Sequence, residues 1–327
     1  MKVLVTGGAG FIGTALCKKL IEHKYEVLSL DIVDSPIKHR NLKSLKIDIT
    51  NPKVFDPQYG ALGWWKDVQF CFHLAAMADV DVVREKRDKA FKVNVYGTFN
   101  IVEACRRMEV PMALASTACV YGHTIQHSLT EDGQTFPVDW YGVTKRAGEE
   151  LVKGLLDNWI ILRYGTTFGS GMRPALCTHI FLTQAREGKP FTVRGTGKQT
   201  RNFVYVEDLV EGNVRAMEYH LGKLNRKLMG VHGKNQIFNL VGEKIYSINE
   251  VANICNEIVN KGLPYESICL PERPDDVPYE DISIKKAQAL LSCPPASTKY
   301  SHSCLQPFFS SCFPLHIFSF VPFIIYK

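Results

Sequence analysis

Residues 293–327 contain no acid at all, yet they carry three of the ten cysteines and are crowded with Pro, Ser and Phe. Nothing in the rest of the chain has that composition, and the stretch reads as a non-native or disordered tail with no part in the chemistry. Its final run, Leu305 to Tyr326, is long enough to be weighed as a membrane span. Pro307, Pro314, Pro322 and His316 interrupt it, which argues against a transmembrane helix. The cysteines include no CxxC pair, and most fall inside strand and helix patterns. That excludes a disulfide framework and points to reduced thiols of a cytoplasmic protein. No cluster has metal-ligand spacing, so no metal is expected. No signal peptide is expected either, because the first residues run directly into a strand pattern. The net charge of +6 is mild, and Lys and Arg are scattered, which excludes a nucleic-acid stripe.

What is present begins at once. Lys2-Val3-Leu4-Val5-Thr6 reads as a short apolar strand, followed by Gly7-Gly8-Ala9-Gly10-Phe11-Ile12-Gly13 and a helical pattern from Thr14 to His23. Gly7, Gly10 and Gly13 are spaced three apart, and Gly8, Gly10 and Gly13 also satisfy G-x-G-x-x-G. Strand, glycine turn and helix in that order form the context of a dinucleotide site. Glycines let the backbone approach a pyrophosphate, and free N–H groups at the helix start meet its charge. The next strand, Glu26 to Leu30, ends in Asp31, close to the position of the usual acid.

Further strands are expected at Leu45–Ile47, Phe70–Leu74, Met112–Ala115 and 159–163. Helices are expected around Asp88–Met108 and at Tyr141–Leu155. Alternation of this kind argues for an α/β fold, a Rossmann-type doubly wound parallel sheet. The rhythm breaks near Gly165. Beyond it, strands at 190–193, 203–206 and 236–240 mix with helices at Val206–His220 and Ser247–Asn260, which suggests a smaller mixed α/β lobe. Residues 1–164 are therefore expected to bind the dinucleotide, with parts of 200–220 and 236–245 returning to that domain. Residues 165–292 would mainly form a substrate lobe, and a cleft between the two would be the ligand site.

Tyr141-Gly142-Val143-Thr144-Lys145 puts Tyr and Lys four apart on one helix face. A free phenol has a pKa of about 10. A neighbouring ammonium, helped by a positive nicotinamide ring, would draw it towards neutrality. Tyr141 could then take a proton from a substrate hydroxyl. Upstream, Leu114-Ala115-Ser116-Thr117 ends a strand, at the sheet edge where α/β enzymes place active groups. A hydroxyl there can bond the reacting oxygen. His73 is expected at a strand end rather than as a base.

With these motifs in order, the chain resembles the extended short-chain dehydrogenase/reductase family, the NAD-dependent epimerase/dehydratase group. The resemblance covers about residues 1–292. Its marks are the glycine turn, His73-Leu74-Ala75-Ala76, Asn94 to Thr98, Ser116 to Gly122, Tyr141 to Lys145, Arg163-Tyr164 and the run from Gln199 to Leu209. The resemblance implies a catalytic set of Thr117, Tyr141 and Lys145, with Ser116 beside Thr117 at the substrate. It implies NAD held by Gly7, Gly10, Phe11, Ile12 and Gly13, by Asp31 with Ile32, by Asp48 and Ile49, and by Leu74, Ala75, Ala76, Asn94, Tyr141 and Lys145. A carboxylate at Asp31 would repel a 2′-phosphate and so favour NAD over NADP. For Asn94 a structural hydrogen bond inside a helix is an equal reading. Arg201 and Arg273 resemble the family's two diphosphate arginines, with a surface ion pair as the alternative for each.

Related dehydratases carry Asp-Glu directly after the catalytic Thr, and decarboxylases keep a Glu at the second of those positions. Here Ala118 and Cys119 stand there. Transient oxidation and re-reduction on the opposite face needs no further acid, so the expected activity is NAD-dependent nucleotide-sugar 4-epimerisation. Cys119 reads as a small packing residue. Where the family shows R-Y-F-N, this chain has Arg163-Tyr164-Gly165-Thr166, which places Thr166 at the substrate. Two alternatives stay open: a dehydrogenase or reductase of a sugar or hydroxy-amino acid, and a non-catalytic NAD-binding protein. The resemblance also implies a homodimer formed through the helices that carry Asn94 and Tyr141.

Overall fold

A computed structural model of the chain describes residues 1–55, 65–123, 128–224 and 234–291. The tail at 293–327 lies outside them. Its centre is a seven-stranded sheet built from β1 (Lys2–Thr6), β2 (Glu26–Asp31), β3 (Leu42–Lys46), β4 (Val68–His73), β5 (Met112–Thr117), β6 (Trp159–Tyr164) and, after three strands of the smaller sheets, β10 (Gln236–Leu240). The order across the sheet is β10-β6-β5-β4-β1-β2-β3, and every pair is parallel. This is the doubly wound α/β arrangement expected. Its order reverses between β1 and β4, and the crevice at such a reversal, beyond the strands' carboxyl ends, is where ligands bind.

Strand alternation sorts the core into two layers. Val3, Val5, Phe70, Phe72, Ala113 and Ala115 face one side, which is covered by α1 (Phe11–Glu22). Leu4, Cys71, Met112 and Leu114 face the other, with Ile101 and Val102 of α4 (Thr98–Arg107) and Val152 of α5 (Trp140–Leu155). Before α4 come two short helices, α2 (Val80–Glu85) and α3 (Arg87–Phe91). The single helix expected around Asp88–Met108 is interrupted by a π-helical turn at Lys92–Gly97. Helical periodicity registers neither that turn nor α2. The edge strand β3 starts three residues before the expected Leu45, because its ladder to β2 begins at Val27↔Leu42. Its lysines face solvent, so apolar content understates it.

Past β6 the chain forms β7 (Thr166–Phe168), α6 (Cys177–Arg186), β8 (Phe191–Arg194), β9 (Thr200–Tyr205) and α7 (Val206–His220). After β10 come β11 (Ile245–Ser247), α8 (Ile248–Asn260), β12 (Ser267–Leu270) and α9 (Lys285–Leu291). Leu209, Val210, Val214 and Met217 of α7 join the same core layer as α1. A separate apolar cluster around Phe181, Phe191, Val251 and Cys255 unites α6, β8 and α8. Among the described residues no helix is long and apolar enough to cross a membrane, no cluster could hold a metal ion, and every cysteine is a free thiol.

Candidate active site

The glycine turn closes on itself. A Cβ on Gly13 would stand 2.0 Å from the Gly7 carbonyl oxygen, and Gly7 holds φ +70° with room for no side chain against Ala75. Gly10 is the first residue of the cap of α1 and has no side chain to screen the helix N-terminus. From this turn a cavity of about 730 Å³ runs along the sheet edge. Gly7, Gly10, Phe11, Ile12, Gly13, Leu74 and Ala76 line one end, Ser116, Thr117, Tyr141 and Lys145 the middle, and Thr166, Arg201 and Arg273 the far end. The cavity does not reach Asp31, Ile32, Asp48, Ile49, Ala75 or Asn94. Asp31 holds the turn from outside it, accepting a bond from Ala9 N at 3.0 Å and another from Ile32 N at 2.7 Å. Ile32 is exposed, Asp48 accepts from Thr50 N, and Ile49 is buried against the face of Gly97.

Asn94 sits behind the wall. Its carboxamide accepts from Met77 N at 2.7 Å and donates to Met77 O and to Thr144 Oγ1. That is the structural alternative stated for it, one that ties the loop after β4 to α5. His73 ends β4, fully buried, between Thr6 Oγ1 at 2.6 Å and Thr98 Oγ1 at 2.9 Å. Thr98 spends its proton on the Asn94 carbonyl at 2.6 Å, so it must accept from His73 Nε2–H. Thr6 then donates to Nδ1 and accepts from Ala75 N. Burial and the Lys145 charge push His73 down to about 3, so it stays neutral and is no base.

Tyr141 is placed by the start of α5, which Asp139 caps through Gly142 N at 2.7 Å. Its side chain lines the cavity together with Thr117. Thr117 Oγ1 accepts from Cys119 N at 3.2 Å, which leaves its own proton to donate. The protein by itself does not acidify Tyr141; the expectation counts on a positive nicotinamide ring beside Lys145. Burial raises its pKa, Cys119 pushes the same way, Arg173 opposes, Asp139 adds to the rise, and the Thr117 bond lowers it. Lys145 is 4% exposed, and among the described residues its ammonium has no hydrogen-bond or ion-pair partner. Burial brings it down to about 8, with Glu149 resisting.

Ser116 borders the cavity but spends its proton on Glu149 Oε1 at 2.6 Å. Alternation along β5 explains this: Ser116 falls on the face of Met112 and Leu114, the one that α5 covers. Glu149 is fully buried and takes a fork from Arg163, Nε to Oε1 at 3.0 Å and the second nitrogen to Oε2 at 2.9 Å. The remaining Arg163 nitrogen reaches Tyr121 Oη and the Glu131 carbonyl. Burial works against the Glu149 charge, but Arg163 and Ser116 outweigh it and hold the carboxyl below its usual range.

Arg201 is committed to Asp276 and to the carbonyls of Thr200 and Val277. Arg273 gives one bond to Asp81. Gly165 has a steric reason: a Cβ would come 2.6 Å from the Asn202 carbonyl oxygen, so β9 excludes any side chain there. Several cavity residues carry no signal in their own stretch of sequence, among them Asp81, Arg84, Asp139, Arg173 and Glu280. Burial raises the carboxyl pKa of Asp139 and Glu280 and pushes the Cys119 thiol up to about 12.

A family model described as the NAD dependent epimerase/dehydratase family matches residues 3–228. The uncharacterized UDP-glucose epimerase YtcB of Bacillus subtilis is 31% identical over 314 residues, 91% of this chain and 94% of that protein. UDP-glucuronic acid decarboxylase 1 of Danio rerio is 29% identical over 90% of this chain and 69% of its own. The solved structure of UDP-glucuronic acid 4-epimerase from Bacillus cereus, in complex with UDP-glucuronic acid and NAD, superposes with a TM-score of 0.82. It is 28% identical and covers 95% of this chain and 98% of that one. A glycine turn at the sheet reversal, a Tyr–Lys helix beside a hydroxyl-bearing strand end, and these likenesses together place the chain in the NAD-dependent epimerase/dehydratase family.

Proposed function

We propose that the chain is an NAD-dependent nucleotide-sugar 4-epimerase, acting by transient oxidation at C4 and re-reduction on the opposite face. The observation that carries this reading is one continuous cavity. It joins a glycine turn suited to a pyrophosphate, the Thr117, Tyr141 and Lys145 side chains, and arginines suited to a second diphosphate. The relatives named for UDP-sugars support uridine as the base.

The residues present fit the cofactor. The turn's glycines let its backbone fold tightly, since a Cβ on Gly7 or Gly13 would strike Ala75 or the Gly7 carbonyl, and Lys145 offers a buried donor with no protein acceptor among the described residues. Ribose hydroxyls would satisfy that donor, and the Asp31 carboxylate favours NAD over NADP. When bound, NAD would supply the hydride acceptor and the positive charge of its ring. Thr117 donates to the reacting oxygen and so fixes its distance from Tyr141. Tyr141 takes the hydroxyl proton and gives it back. Lys145 stabilises the phenolate by its charge. Burial leaves the Cys119 thiol a far weaker acid than a carboxyl, and Ala118 has no proton to give, so neither replaces the acid that dehydration or decarboxylation would use there.

We read residues 1–164, with parts of 200–220 and 236–245, as the cofactor domain and 165–292 as mainly the substrate lobe. Free thiols fit a reducing compartment, and we place the protein in the cytoplasm. Phe91, Tyr96, Phe99, Trp140 and Val143 leave an exposed apolar face on α3 to α5, which supports a homodimer through those helices.

Tyr141→Phe tests the reading. It is expected to bind NAD normally, seen by bound-cofactor absorbance, and to lose roughly 10²- to 10⁴-fold in interconversion of UDP-sugars by product chromatography. Full activity in this variant rejects the mechanism. Net accumulation of NADH with a substrate alcohol favours the dehydrogenase reading instead.

A further inference from the structure

Four side chains of alternating charge stand at the far end of the cavity. They join α2 of the Rossmann sheet's side to the segment after β12. Arg84 gives two bonds to Asp275 Oδ2, at 3.2 and 3.1 Å, and one to Asp81 Oδ1 at 2.8 Å. Asp81 Oδ2 accepts from Arg273 at 2.9 Å. Burial works against the Asp81 charge, but Arg273 and Arg84 outweigh it and hold that carboxyl low, so it stays anionic. Each Asp81 oxygen thus accepts one arginine bond. Arg273 is served less well: its Nε is buried with no hydrogen-bond partner.

We propose that Asp81 sets the affinity of the cleft for anions, its carboxylate occupying the edge of the Arg273 guanidinium that a substrate phosphate would take. This rests on the reading of Arg273 as a diphosphate arginine. The unmet donor on Arg273 suits an anion with several oxygens. Asp81 reaches Arg273 through one nitrogen only and leaves Nε unmet, whereas a phosphate presents several oxygens that can engage Nε and its neighbouring nitrogen together. The Asp81 and Arg273 side chains are 38% and 36% exposed, so the pair is weak and displaceable. Arg84 keeps hold of Asp81 after the exchange, so no orphaned charge is left behind.

The test is calorimetric titration of UDP, and separately of inorganic pyrophosphate, into the full-length chain. Asp81→Asn is expected to tighten UDP by about two- to fivefold and to lower KM for the UDP-sugar with kcat held. Asp81→Ser should do the same. Asp79→Asn is the control. Asp79 lines the same cavity and caps α2, a task Asn also performs, and its ion-pair partner is Arg173 at 3.8 Å and not Arg273, so it controls for loss of a cavity carboxylate in general. Tightening that is absent in Asp79→Asn, and lost when Asp81→Asn is combined with Arg273→Ala, supports the proposal. Equal tightening in Asp79→Asn, persistence without Arg273, or no change in Asp81→Asn overturns it. If no UDP-sugar is turned over, the epimerase reading fails, while the Arg273-dependent change in UDP affinity is still there to be read.

Discussion

Two ionic clusters flank the reactive hydroxyls, and they are built on opposite terms. Beneath the ends of β5 and β6, Glu149 and Arg163 are sealed from water. Every nitrogen and oxygen of that pair is engaged, by Ser116, Tyr121 and the Glu131 carbonyl as well as by each other. At the cavity's far end, Asp81, Arg84, Arg273 and Asp275 lie between 27% and 38% exposed, and one donor goes unpaired. A buried pair with complete hydrogen bonding has one arrangement, because losing either partner strands a charge in a medium that cannot solvate it. A half-exposed ring of charges has several arrangements close in energy, because water and salt compete for each contact. The first suits a platform that must keep a strand end and a helix in register. The second suits a place where a ligand's charge has to be exchanged for the protein's own.

Breaking the sealed pair should give the largest effect. Arg163→Met leaves Glu149 buried without its fork, held only by the longer contacts of Arg146 at 3.5 Å and Lys153 at 3.8 Å, and is expected to cost about 3 kcal/mol in denaturant unfolding. A loss below about 1 kcal/mol would put the two clusters on an equal footing and dissolve the contrast. Lys145 sits at the boundary between them, buried like the first and unpaired like a ligand-binding group. Its folded pKa of about 8 lies below the ordinary lysine value of 10.5. The charged form is thus disfavoured in the folded chain. That penalty is present in full below pH 8, shrinks as pH rises from 8 to 10.5, and is gone above. Lys145→Met should therefore abolish turnover while raising stability at pH 7 by on the order of 3 kcal/mol, and the gain should fade between pH 8 and 10.5. Unfolding curves at pH 7 and pH 10 check the sign, and a variant less stable than the parent at pH 7 contradicts it. The smallest effect belongs to the open cluster. Arg84→Met is expected to change stability by less than about 1 kcal/mol, with that difference disappearing in molar salt.

Much of the fold was legible because its signals are local. Apolar runs such as Met112–Ala115 and 159–163 announce buried parallel strands, and closely spaced glycines between a strand and a helix announce a tight backbone turn. Tyr141 and Lys145 share a face by helical spacing alone. What was illegible has physical reasons too. The edge strand β3 is solvated on its lysine side, so its pairing with β2 does not appear as hydrophobicity. The π-helical turn at Lys92–Gly97 departs from the periodicity by which helices are recognised. The turn of the Ser116 hydroxyl towards Glu149 could have been drawn from alternation along β5, but its partner lies 33 residues away on α5. Burial of the Tyr141 phenol, which raises its pKa in the protein alone, is set by packing between distant segments and leaves no mark in the local sequence.

By itself, the order of residues determined which backbone segments extend, coil and turn, and which chemical groups are available, because those properties depend on neighbours within a few positions. Only the tertiary structure decided the company each group keeps. Arg163 and Arg273 are the same side chain, yet one is locked into a dry pair and the other waits half-wetted against Asp81. The difference lies in the water each is allowed, and that is set by packing between segments far apart in the chain.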